Sequence, residues 1–154
     1  MAESAEHFET EFQPHSKHKH LIFRTYLDAW LRKLALGARG RDELVIVDAF
    51  AGAGSDAAGN PGSPVLAARA AAEATSHLRA QFGRDVRVEV IAVEKDPVRR
   101  TRLTAALSGF PHARVLAGTF EQQLPTILGA IADAPALFFV GSSWKCVGEF
   151  EGYY

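Results

Sequence analysis

The chain has 154 residues and a mass of 16.7 kDa, which fits one domain or less. Seventeen Lys and Arg against eighteen Asp and Glu leave a net charge of −1, which excludes a global basic field for nucleic acid or an anionic membrane. A single cysteine excludes an intrachain disulfide and any multi-cysteine metal site.

The opening residues, MAESAEHFET, are acidic and polar. They lack the basic start and apolar core of a signal peptide, and no apolar run reaches transmembrane length. The expected compartment is a reducing cytoplasm. Residues 1–15 read as a flexible lead-in. From Ser16, an expected N-cap, apolar residues recur at three- and four-residue steps through Leu21, Ile22, Phe23, Tyr26, Leu27, Trp30, Leu31 and Leu34, which predicts a helix stopped at Gly37. Leu44–Phe50 is a short β-branched run suited to a buried strand. A loop with four glycines follows, from Ala51 to Gly62. Ser63-Pro64 predicts the next helix start, with Ser63 as cap, and the alanine-rich stretch to Phe82 has high helix propensity. Arg87–Glu94 is a second strand. Pro97 opens a helix to about Ser108, and Ala113–Ala117 is a third strand. Phe120–Ala132 is helical, and Ala136–Val140 is a fourth strand. Residues 141–154 show no period and read as an irregular tail. Strands alternating with helices predict an α/β fold: a Rossmann-like parallel sheet over residues 16–140, helices on both faces, and an extra helix in front.

In such sheets ligands bind beyond the carboxyl ends of the strands. The first strand ends in Val47-Asp48-Ala49-Phe50-Ala51-Gly52-Ala53-Gly54. Gly52 and Gly54 allow a tight turn and a close backbone approach to a ligand. Asp48 speaks against a pyrophosphate, which a carboxylate would repel, and for a cationic ligand such as S-adenosylmethionine. Its alternative is a carboxylate that only bonds loop amides. Glu94 ends the second strand, where a carboxylate can accept ribose hydroxyls; Asp96 can cap the helix that follows. His15, His18 and His20 lie among Lys17 and Lys19. Positions i and i+2 do not share a helical face and the lysines repel a cation, so no metal site is assigned.

The D-x-F-x-G-x-G pattern is similar to motif I of class I methyltransferases. Pro14–His20, Tyr26–Leu31, Asp48–Gly54, Gly59–Pro64, Val93–Pro97 and Ala136–Val140 occur in the order seen in the three-Cys-motif partner family, which the chain resembles over residues 13–140. The resemblance implies a methyltransferase-like fold with S-adenosylmethionine as cofactor and a three-Cys-motif protein as partner. It also implies that Asp48, Phe50, Gly52, Gly54, Glu94 and Thr119 surround the cofactor, although Thr119 stands where methyltransferases often carry an acid. The family continues near residue 140 with approximately Asp-Pro-Phe-Gly; this chain reads Gly141-Ser142-Ser143-Trp144. The resulting expectation is a frameshift or early stop near residue 140 that leaves strands 3-2-1-4 of a seven-stranded sheet, with no acceptor half and no nameable catalytic base. Unless the tail pairs with it, the fourth strand would then be an exposed apolar edge. The competing expectation is a non-catalytic protein that docks a partner through its basic first helix or that edge strand.

Overall fold

A computed structural model describes residues 14–140 and 143–147. Helix α1 spans Pro14–Leu36, β1 Glu43–Asp48, α2 Ser63–Phe82, β2 Arg87–Glu94, α3 Pro97–Leu107, β3 Ala113–Ala117, α4 Phe120–Ile131, β4 Ala136–Val140 and β5 Ser143–Val147. The sheet order is β3-β2-β1-β4-β5. The four strands β3, β2, β1 and β4 are mutually parallel, as the alternation of strands and helices predicts. The fold is therefore α/β, an incomplete Rossmann-like sheet preceded by a helix.

Strand β1 is central because, after the exposed Glu43, it has nothing polar to solvate before its last residue: Leu44 to Asp48 are all buried. Its side chains alternate between two cores. Leu44 and Ile46 join Val88, Val90 and the inward faces of α1 and α2; Val45 and Val47 join Ile91, Val93 and the Ile127/Ile131 pair of α4. Helix α2 approaches the sheet closely because its buried stripe is largely alanine. It ends at Gly83, whose φ of 61° is left-handed, with the Arg84 amide donating back to the Leu78 carbonyl. Helix α3 adds Leu103 and Leu107 on the same face as α2. Helices α1, α2 and α3 thus cover one face and α4 the other. The chain reverses its winding between β1 and β4, which makes the carboxyl end of β1 the switch point.

Three sequence expectations are corrected. The first helix begins at Pro14, so Ser16 lies inside it; Pro at the first turn loses only an amide that has no intrahelical partner. Ser63 does not cap α2. Gly62 is the cap, and the Ser63 hydroxyl is turned to Asp48 instead. Ser143–Val147, read as part of an irregular tail, forms β5 antiparallel to β4, with Ala136 opposite Val147 and Val140 opposite Ser143. Strand β4 is therefore an interior strand, and the open apolar edge expected there is filled. Phe139 of β4 also stacks on Phe23 of α1, ring centroids 5.4 Å apart. The expected lead-in before Pro14 and the remainder of the tail lie outside the described residues.

Candidate functional site

A cavity of about 310 Å³ opens at the carboxyl end of β1, a volume at the lower end of small-molecule sites. Its floor is the glycine loop from Phe50 to Ala57, closed by Gly62 and Ser63 at the start of α2. One wall is α3, through Val98, Arg99 and Arg102; His20 of α1 forms part of another.

Two glycines shape the floor by different means. Gly52 has φ 68° and Gly54 φ 88°, both in the region that favours glycine. A Cβ on Gly52 would meet nothing within 4 Å, so that face of the backbone is open. A Cβ on Gly54 would stand 3.0 Å from the Ala106 Cβ and 3.3 Å from Leu103 Cδ1. Gly54 thus lets the loop lie directly on α3. The Gly62 amide then closes the loop by donating to the Gly54 carbonyl at 2.8 Å.

The loop is held from behind by carboxylates. Asp48 is 2% exposed. Its Oδ1 accepts the Phe50 amide at 3.2 Å, and its Oδ2 accepts the Ser63 hydroxyl. Burial pushes its carboxyl up to about 6. The two hydrogen bonds pull it down, and the nearby charge of Glu94 pushes it further up. Glu94 is 6% exposed. Its Oε2 accepts the Gly52 amide and its Oε1 the Asp96 amide, each at 2.8 Å. Asp56 accepts both the backbone and the side-chain amide of Asn60, at 2.7 and 2.8 Å, and so folds the distal part of the loop. The Asp56 charge also acts on His20, where it opposes the larger effect of burial; burial wins and holds the imidazole below its ordinary range.

Of the six residues expected at the cofactor, Phe50, Gly52 and Gly54 line the cavity. Asp48 and Glu94 do not line it; they stand beneath the loop and fix its amides. Thr119 is elsewhere: it caps α4, its Oγ1 accepting the Gln122 amide at 3.2 Å while Gln122 Oε1 accepts the Thr119 amide at 3.0 Å. Phe120 packs edge-on against Phe138 in the core. Asp96 caps α3 as expected, its Oδ1 accepting the Arg99 amide at 2.8 Å. Sequence reasoning did not place His20, Arg99 and Arg102 at the cavity. The signal for the arginines was their spacing: three apart on a helix that begins directly after the ligand-facing end of β2. For His20 no local signal exists, because its position depends on how α1 crosses the sheet. Among the described residues no cluster of three or more His, Cys, Asp or Glu is arranged to hold a metal ion, and no helix is long and apolar enough to cross a membrane.

The fold and site define a Rossmann-like α/β protein with a glycine-floored cavity at its switch point. No family model matches the chain, and no curated protein matches it.

Proposed function

We propose that the chain binds S-adenosylmethionine in this cavity, as the cofactor part of a methyltransferase-like domain of the three-Cys-motif partner type, and that it works in the cytoplasm beside a three-Cys-motif protein. The observation that carries the reading is the left-handed Gly52 turn: its open face lines the cavity and its amide is fixed by Glu94. Glu94 holds the Gly52 and Asp96 amides from beneath the loop, so it keeps the cavity floor in the shape that receives the cofactor. Ionised Asp48, behind the loop, favours a cofactor that carries positive charge. Phe50 and Val98 offer apolar surface at the rim. When bound, S-adenosylmethionine supplies an electrophilic methyl group. The chain's own part is to orient that group and exclude water from it.

A second reading, a non-catalytic protein that docks a partner through its first helix, draws on a separate observation. Leu21 and Ile22 of α1 are 66% and 65% exposed, and apolar side chains held out on a helix mark an interaction surface when they form a patch. Calorimetric titration with S-adenosylmethionine separates the two readings. Saturable binding by the wild-type chain that is lost in Glu94→Gln supports the cofactor reading. No binding by the wild-type chain refutes it and leaves the docking reading.

A further inference from the structure

Two carboxylates lie buried directly beneath the floor of the cavity. Asp48 accepts the Phe50 amide and Glu94 the Gly52 amide, and both of those residues line the cavity. Asp48 also accepts the hydroxyl of Ser63, a third lining residue. One hydrogen bond thus separates each carboxylate from the floor. All of their partners are neutral, three backbone amides and one hydroxyl. Among the described residues no cation pairs with either carboxylate. Arg100 meets Glu94 only at its backbone carbonyl, at 3.4 Å, and Lys95 is exposed. The neighbouring strands set Ala92 and Phe139 opposite Asp48, and neither carries charge.

The charged side chains that line the cavity itself balance in sign. Asp56 and Asp96 stand with Arg99 and Arg102. All four are engaged: Asp56 holds Asn60, Asp96 caps α3, and both arginines have interactions of their own. Burial holds the His20 imidazole below its ordinary range, toward the neutral form, against the pull of Asp56. The excess charge at this end of the sheet is therefore negative, and it comes from Asp48 and Glu94. Buried charges without a cation are costly, and a positive charge across the floor offsets that cost in a medium that screens poorly.

We infer that the Asp48–Glu94 pair makes the cavity selective for charge: it holds S-adenosylmethionine, with its positive sulfonium, in preference to S-adenosylhomocysteine, the thioether that lacks that methyl group and that charge. This rests on the cofactor reading and adds a direction to it. The site keeps the loaded cofactor and lets the spent one go. The two molecules share every other group, so a preference that follows the ionisation of Asp48 isolates the effect.

The test is calorimetric titration of the full chain with each of the two molecules, at pH values of about 5 and about 7. Asp48 takes up its proton at about 6, so it is mostly neutral at the lower pH and mostly charged at the higher. Between them the ratio of affinities should move roughly fivefold toward S-adenosylmethionine. In Asp48→Asn the ratio at the higher pH should fall roughly tenfold below wild type, with affinity for the thioether unchanged. His20→Gln removes the histidine at the cavity, which also titrates in this range, and should leave the rise in place. The inference is overturned if both molecules bind the wild-type chain in a ratio that pH does not move, if the rise disappears in His20→Gln, or if Asp48→Asn keeps the wild-type ratio. Those results leave the cofactor reading standing. If neither molecule binds the wild-type chain, the cofactor reading falls and the inference falls with it.

Discussion

Asp48 gives a quantitative test of how the glycine loop is anchored. Its carboxyl is buried beneath the loop and sits at about 6, against an ordinary value of 3.8. Because the folded value is raised, the protonated form is the one that favours folding. That stability is fully present below the ordinary value and is lost as pH rises through about 6. A gap of about two units corresponds to about 3 kcal/mol. Part of the transition lies outside a practical window, so about 2 kcal/mol is expected between pH values of about 4.5 and 7.5. Asp48→Asn removes the titration and keeps an acceptor for the Phe50 amide, with the Ser63 hydroxyl free to accept from the new amide. Urea unfolding followed by circular dichroism, run on both proteins at both pH values, cancels the other carboxylates. Relative to wild type, the variant should gain about 2 kcal/mol on going to the higher pH. A constant offset between the two proteins would refute the claim that burial of Asp48 holds a charge at a cost.

Further outcomes follow from the loop and from α4. Gly54→Ala combines a left-handed φ with contacts at 3.0 and 3.3 Å on α3, and should lower stability in urea unfolding by about 3 kcal/mol. Gly52→Ala has the same strain in open space, so it should cost only about 1 kcal/mol while weakening S-adenosylmethionine binding by calorimetry; equal losses of stability at the two positions would contradict the packing argument. Thr119→Ala removes the cap of α4 and should cost about 1 kcal/mol, with cofactor affinity unchanged, because Thr119 does not line the cavity. Loss of binding in that variant would return Thr119 to the site.

The parts of the fold legible in the sequence are those set by local pattern. Buried runs such as Val45–Val47 and Val90–Val93 announce parallel strands, and Pro97 and Gly83 mark helix ends with one mechanism each. The site was legible as a location, because a strand running into Asp48 and two closely spaced glycines marks a ligand-facing turn. What the side chains do there was less so. Asp48 and Glu94 were read as ligand contacts, yet their oxygens hold the Phe50, Gly52 and Asp96 amides. Such amides become acceptor-seeking only once the turn is folded, which no spacing rule encodes. Ser63 fits a cap by residue type, but the buried carboxylate behind it takes the hydroxyl first. Strand β5 is too short for a period and exists through its pairing with β4.

Glu94 joins two turns that belong to different crossovers. One oxygen holds the Gly52 amide after β1, and the other holds the Asp96 amide before α3. The two turns are thus riveted through one side chain that is itself fixed in the sheet. A displacement of α3 by a ligand on its arginines would be passed to the floor of the cavity without any motion of the strands. Occupancy at the rim and the shape of the floor are then mechanically coupled through a single carboxylate.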